Sequence, residues 1–437
     1  MIQSNITPRT ITNTLRQWKQ RKRRLPLLLV GNTIQEVMNT ITTFQNNNFD
    51  EMVEFEYHYI KEHVESLIEP IDVLDKLRLL SGKKIDRERT LVILKNVYDS
   101  NVVSHLSSLL DEFHRKYYFI FVTDKYEIID KLSNNQSIQI ELMKPVSFFN
   151  YLKLSSQRCT STYKHFIEKE EHLIPMKKMF YDSLMDKFLE YVILGGSSTA
   201  ISQYRENKDL SEISTLQENL ISNARENIIM NHPNVEGIKM NMIFSLNKQY
   251  QNSYKKFNYK AVKEPARARS WYSAVELLDK NRYLTKVDVL NGGFKLYNNT
   301  GFLISQLQID ILRMIRESHI PDAVMETYVV NSLLEQNETE LNIVLTKSKL
   351  VQPFIWSSND KKYLVLVGGQ HRTRFIQNLI HKHNLDMAVK IGQHNFSYSD
   401  NILSIPIFFT DDIMTFIVKA EKHGEYIPEF KKRHSLY

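Results

Sequence analysis

Residues 27–44 read LLLVGNTIQEVMNTITTF, and the fold turns on this stretch. Leu27 to Val30 is an unbroken apolar run of strand length that stops at Gly31. Val37, Met38, Ile41 and Phe44 then return at helical spacing. A strand apolar on both faces, followed by an amphipathic helix, is the repeating unit of a parallel sheet covered on both sides. The unit recurs outward. Residues 53–57 alternate apolar and polar, and 91–94, 117–122 and 138–142 are short apolar runs. Helical patterns over 64–80, stopped by Gly82, and over 102–113 lie between them.

From about Val146 the pattern turns helical, over 148–154, 166–171, 176–192, 198–207 and 211–229, with Gly195-Gly196 as an interruption. Asn231-His232-Pro233-Asn234 is turn chemistry and marks a domain edge. Helices over 238–250, 260–263 and 267–281 precede two short strands, 283–289 and 294–297, joined through Asn291-Gly292-Gly293. Helix, helix, helix, hairpin is the order of a winged helix. Beyond Pro321 the pattern gives a helix over 323–336, strands near 343–346, 351–356 and 363–368, a helix over 372–383, and strands near 387–391 and 405–409. That is a second, smaller α/β module.

The totals, 42% apolar and 24% charged residues over 437 positions, are those of a globular chain with room for several cores. They exclude collagenous and wholly disordered classes. The single cysteine, Cys159, excludes an internal disulfide and accords with a reducing, cytoplasmic setting. No apolar run reaches the roughly 18 residues of a membrane span. Arg21 to Arg24 ahead of Leu25 to Val30 is too short an apolar pattern for a secretory signal. The net charge of +7 is local: ten Lys or Arg against three Asp or Glu lie between Lys248 and Lys286, a surplus equal to that of the whole chain. Charge so confined attracts an anionic partner, or is simply a solvated basic face.

Several stretches, in order, resemble one family: prokaryotic AAA+ ATPases in which a P-loop domain precedes a winged helix and a restriction-endonuclease-like fold. Leu15-Arg16-Gln17-Trp18-Lys19 resembles the family's opening helix, and residues 80–86, LSGKKID, its lead-in to the Walker B strand. Residues 142–151 resemble L-x-P-x-S-F-x-E-F. Ile193-Leu194-Gly195-Gly196 resembles the L-G-G-x-P of the lid, and residues 260–279 the A-R-A-x-x-Y-x-x-A-x-x-x-L helix. The resemblance implies an α/β chain divided into a P-loop domain (1–155), a helical lid (156–232), a winged helix (233–320) and a small nuclease-like α/β domain (321–437).

The catalytic positions depart from the family. Walker A, G-x-x-x-x-G-K-[ST], uses glycines for backbone approach to phosphates, a lysine for their charge and a hydroxyl for Mg²⁺. Gly31 holds the first glycine, but Glu36, Val37 and Met38 stand at the second glycine, the lysine and the hydroxyl. Glu36 at a helix start suits the macrodipole and takes the place of the phosphate, or is an ordinary first-turn glutamate. Lys95-Asn96 stands where Walker B carries Asp-Glu, and Val122-Thr123-Asp124 where the family carries A-G-S. In the last module Val351-Gln352-Pro353-Phe354 replaces E-V-D-F. Leu366 and Gly368 replace the acid and lysine of E-x-K, leaving Glu326 as the one matching acid.

The expectation is therefore a catalytically inactive, AAA+-like binding or scaffolding protein with no catalytic residue, no metal and no cofactor. Its alternative is a divergent ATPase that still binds ATP and Mg²⁺. A third, weaker reading is a nucleic-acid enzyme with displaced acids. Lys260, Lys263, Arg267, Arg269, Arg282 and Lys286 around the third winged-helix helix are the candidate DNA or RNA contacts. A protein partner or a homo-oligomer is the other expected association; no membrane is expected. His371, His381 and His383 suggest a metal cluster only weakly, since residues two apart on a helix point in different directions. Ser197 and Ser198 are explained by the lid resemblance, and Trp18, Trp271 and Trp356 by packing.

Overall fold

The computed structural model describes residues 11–31, 33–64, 69–111, 116–169, 173–207, 210–251, 256–264, 267–299, 317–336, 339–346, 352–369 and 371–422. The chain divides into two compact units, Met1–Lys144 with Lys280–Arg282, and Pro145–Asp279 with Tyr283–Tyr437. The expected edges at 155/156, 232/233 and 320/321 all fall inside the second unit.

The first unit runs α1 (Ile11–Gln20), β1 (Leu27–Val30), α2 (Ile34–Asn46), β2 (Glu51–Glu56), α3 (Tyr57–Val64), α4 (Pro70–Ser81), β3 (Thr90–Lys95), α5 (Ser100–Asp111), β4 (Tyr118–Thr123), α6 (Glu127–Leu132) and β5 (Gln139–Leu142). Its five strands are all parallel, in the order β2-β3-β4-β1-β5. The chain leaves β1 in one lateral direction to reach β2, then returns through β3 and β4 and passes β1 to reach β5. Right-handed crossovers taken in opposite directions put their helices on opposite faces. The two cores record this. Leu27, Leu29, Leu91, Ile93, Ile120 and Val122 pack with α1 and α2. Their sequence neighbours Leu28, Val30, Val92, Leu94, Phe119 and Phe121 pack with α3 to α6. The period of two sends adjacent residues to opposite faces, and both faces are dry, which is why these strands read as unbroken apolar runs.

The helix expected over 64–80 is replaced by α3 and α4. Pro70 opens the second, because its fixed φ and missing N–H suit a first helical turn. Gly82 ends it at φ 63, as expected from the sequence.

The second unit opens with α7 (Phe148–Ser155), α8 (Gln157–Glu168), α9 (Lys178–Leu194), α10 (Ser198–Asn207), α11 (Leu210–Asn231), α12 (Val235–Gln251), a 3₁₀ turn (Tyr259–Ala261) and α13 (Ala268–Lys280). Then come β6 (Leu284–Val289), β7 (Phe294–Asn298), α14 (Asp322–Leu334), β8 (Thr339–Ile343), β9 (Phe354–Ser358), β10 (Lys361–Val367), α15 (Thr373–His383), β11 (Met387–Gly392), β12 (Ser397–Ser399) and β13 (Ile402–Pro406). A 3₁₀ segment, Ile407–Asp412, and a helix over 413–422 follow. The strands form one mixed sheet, β12-β13-β11-β10-β9-β8-β6-β7, in which β10, β11 and β13 are parallel. The β6–β7 hairpin joins it through Asp288↔Asn342 and Val289↔Ile343.

One face of this sheet, with Trp356, Tyr363, Val365, Val389 and Leu403, shares a core with α7 to α9 and α14. The other, with Ile355, Leu364, Leu366, Ala388 and Ile402, is covered by α15. The helices expected as a lid thus contribute to the same core as the C-terminal sheet. A third core joins α11, α12, α13 and the hairpin through Ile228, Phe244, Trp271, Leu278, Leu284 and Phe294.

Three local expectations are corrected. The strand expected at 405–409 ends at Pro406, which has no N–H to continue the ladder; Ile407, Phe408 and Phe409 turn into the core as the 3₁₀ segment. The helix expected over 166–171 is the end of α8, which starts at Gln157 because Ser156 caps it, accepting from the Cys159 N–H at 3.2 Å. The strand expected near 343–346 lies earlier, as β8. Val351, Phe113 and Glu171 lie outside the described residues.

Candidate functional site

In an open parallel sheet a ligand sits at the carboxyl ends of strands whose outgoing connections diverge. In the first unit that point is between β1 and β4, where the Gly31 N–H donates to the Thr123 carbonyl at 3.1 Å. The sequence places its degenerate Walker A residues there. A Cβ at Gly31 would lie 2.5 Å from Cγ2 of Val37, so the space over this glycine is already filled by a side chain. Val37 is fully buried and Met38 nearly so, both in the core beneath α2. Thr33 caps α2, its hydroxyl accepting from the Glu36 N–H at 3.2 Å. That amide, which a phosphate cradle needs free, is satisfied within the chain. Glu36 itself is half-buried in the first helical turn. These residues do not fit a nucleotide triphosphate. Thr33→Ala is expected to destabilise the first unit by about 1 kcal/mol, read from denaturant unfolding followed at Trp18; an unchanged midpoint would show that the cap contributes nothing.

Lys95, expected from the sequence at the Walker B position, is likewise engaged elsewhere. Lys95 ends β3 opposite Glu56 of β2, and its ammonium lies 2.9 Å from Glu54 and 3.0 Å from Glu56. Burial alone would lower the Lys95 pKa, but the hydrogen bonds to both carboxylates outweigh it and hold the pKa above the ordinary lysine value. Asn96, at φ 57, donates to Glu56 at 2.6 Å. The cation at this strand end is thus paired to two edge-strand carboxylates.

The basic segment lies in the helical part of the second unit. Along α13, Trp271, Ala274, Val275 and Leu278 face the core at i, i+3, i+4, i+7 spacing, leaving Arg269, Tyr272, Ser273 and Glu276 outward. Lys260, Lys263, Arg267 and Arg269 are exposed, and among the described residues their side chains have no ion-pair partner. Lys286 differs. Its ammonium is 2.8 Å from Glu276, 3.0 Å from the Tyr272 hydroxyl and 3.7 Å from Asp288. Burial opposes its charge, but these partners prevail and raise the Lys286 pKa well above the usual lysine range. Arg282, at φ 56, places its guanidinium 5.0 Å from the Tyr126 ring centre and is counted with the first unit. The structure therefore gathers four of the six candidate cations on one stretch and engages the other two internally. Lys256, not singled out from the sequence, reaches the hairpin-turn carbonyls of Asn291 and Gly292.

In the C-terminal sheet Leu366 is fully buried, and Gln352 accepts from the Thr346 N–H at 2.9 Å. Glu326 is bound by the Lys295 ammonium at 2.8 Å and by the Tyr297 hydroxyl. Lys295 was not visible as its partner, because nothing in the local pattern links positions 31 residues apart. His371 lies before α15, whereas His381 and His383 lie in its last turn, so the three do not meet. Among the described residues no helix is long and apolar enough to cross a membrane.

No family model matches the sequence, and no curated protein matches it. Among solved structures the chain is similar to one in "Structure of Drosophila ORC bound to DNA", at 12% identity. The match covers 68% of this chain and 95% of that chain, and its TM-score of 0.25 is too low to define a shared fold.

Proposed function

We propose that this chain is a degenerate P-loop, AAA+-type protein that does not hydrolyse ATP and serves as a binding module, contacting nucleic acid through a winged helix built from α11 to α13 and the β6–β7 hairpin. The motif resemblance and the all-parallel sheet with β1 in its interior support the P-loop assignment. The observation that carries the loss of ATP chemistry is the fully buried Val37 side chain, at the place of the Walker lysine and packed against Gly31. For the nuclease-like module, buried Leu366 and lysine-neutralised Glu326 support a non-catalytic reading. Nucleic-acid contact rests on Lys260, Lys263, Arg267 and Arg269.

Two measurements test the reading. Isothermal titration with ATP and Mg²⁺ is expected to give no saturable heat; a clean isotherm would establish the nucleotide-binding alternative instead. Duplex DNA is expected to shift in a salt-dependent manner. Arg267→Ala with Arg269→Ala should weaken it and lower the salt slope by about 2, since each phosphate contact contributes about 0.9. Binding that is absent at low salt, or indifferent to both arginines, would remove the winged helix from the mechanism.

A further inference from the structure

A cavity of about 430 Å³ lies within the second unit, lined from the end of α8, from residues 173–177, from Phe396 ahead of β12 and from the helix over 413–422. Small-molecule sites have volumes of roughly 300–1,000 Å³. One wall is aromatic and anchored from beneath. Phe396 and Phe416 are buried with ring centres 4.9 Å apart, and both touch the fully buried Phe409. Phe166 stacks on Phe396 at 6.2 Å. The opposite wall forms neither helix nor strand, yet it is pinned. Met176 is buried, its N–H donates to Oδ1 of Asn395, and its carbonyl accepts from Nδ2 of the same residue, each at 2.8 Å. Ile174 and Lys177 flank this clamp and line the cavity, Ile174 with 53% of its surface exposed. Apolar surface gathered in one concavity, unlike apolar residues scattered singly, marks a place that a ligand covers.

The charge of the lining has one sign. Lys169, Lys177, Lys419 and His165 contribute to it, and no aspartate or glutamate does. Lys419 is half-buried, and its ammonium donates to the Phe166 and Ile167 carbonyls, both at 2.9 Å. These carbonyls lie in the last turn of α8, where helical partners run out, and a cation there also suits the helix dipole. An ammonium has three donors, so one N–H of Lys419 remains after both carbonyls are served. Burial lowers the Lys419 pKa, and no carboxylate acts to raise it again. A half-buried cation balanced by two carbonyl dipoles alone is completed by an anion.

We infer that this cavity binds a medium-chain alkyl carboxylate, its chain against Phe166, Phe396, Phe416 and Ile174 and its head group on Lys419. A phosphate would call for a guanidinium fork or several convergent amides, and no arginine or glycine lines the cavity. A neutral ligand would leave the Lys419 charge uncompensated. One carboxylate oxygen takes the remaining Lys419 N–H, and the exposed Lys169 and Lys177 add attraction at longer range. The ring planes of Phe396 and Phe416 are inclined by 34° and those of Phe166 and Phe396 by 23°, so the wall offers no single flat slot, and a flexible chain follows it better than a rigid ring.

Isothermal titration of the full chain with butyrate, hexanoate, octanoate and decanoate, each below its micelle concentration, tests this. Affinity is expected to rise about fourfold per added methylene until the cavity is filled. Decanol, the neutral control, should bind about tenfold more weakly than decanoate. Lys419→Met should abolish that difference and keep decanol binding. Ile174→Glu, at an exposed position, should weaken decanoate more than decanol, and it decides the question if Lys419→Met does not fold; thermal unfolding checks both variants. Absence of saturable heat across the series overturns the inference, as does equal binding of decanoate and decanol. Sedimentation with anionic phospholipid vesicles in the absence of saturable decanoate binding also overturns it, and would make the cavity part of a membrane-facing surface. Arg267→Ala with Arg269→Ala should leave decanoate affinity unchanged, so failure here leaves the α13 reading standing.

Discussion

Lys295→Met is expected to lower the stability of the second unit by about 3–5 kcal/mol, the usual cost of leaving one member of a buried ion pair alone. Lys295 and Glu326 each have side chains only 6% exposed, and their charged atoms are 2.8 Å apart. The methionine fills the lysine's volume but leaves a carboxylate inside the protein, with the Tyr297 hydroxyl as its remaining donor. Glu326→Gln should be costly for the mirror-image reason, an ammonium without its counter-ion. The double change Lys295→Met, Glu326→Leu should recover most of the loss, because both charges leave together and apolar side chains occupy the space. Denaturant unfolding monitored at Trp356 reads the result. A single-variant cost under about 1 kcal/mol would mean that water reaches the pair.

Asp411→Asn is expected to act in the opposite direction and only at higher pH. Asp411 is half-buried, and burial pushes its carboxyl up to about 6. The Ser332 hydroxyl, donating at 2.7 Å, offsets part of that, while the charges of Asp412 and Glu335 add to it. An unfolded aspartate titrates near 3.9. Between the two values the folded chain holds a proton that the unfolded chain has released. The stabilisation is therefore complete below about pH 4 and is lost as pH rises through 6, by on the order of 2–3 kcal/mol. Asparagine accepts the Ser332 hydrogen bond without ionising, so the variant should exceed the parent at pH 7.5 and converge with it near pH 4. Unfolding midpoints across pH 4–8 decide this; parallel curves for the two proteins would mean that Asp411 does not titrate in that range.

Much of the first unit was legible in advance because its signal is local. A strand dry on both faces reads as consecutive apolar residues, as in 27–30 and 91–94, and a helix on one face reads as Val37, Met38, Ile41, Phe44. That Val37 and Met38 carry neither a cation nor a hydroxyl could be read from their identities alone. The reach of Lys95 across to Glu54 and Glu56 could not, because strand register, not sequence spacing, brings them together. The same limit governs the candidate interface. Six cations are close in sequence, yet Lys286 is held by Glu276 and Asp288 and Arg282 lies over Tyr126, so four remain outward.

Sequence alone determined the alternation of strands and helices and the absence of a lysine and a hydroxyl at positions 37 and 38. Both are properties of neighbouring residues, where a period of two or 3.6 and the presence or absence of a lysine suffice. Only the tertiary structure decided that α7 to α9 share a core with the last sheet, that the hairpin extends that sheet, and that Lys295 neutralises Glu326. Each joins residues far apart along the chain, and partners at that distance are chosen by topology and by the cost of burying unpaired charge.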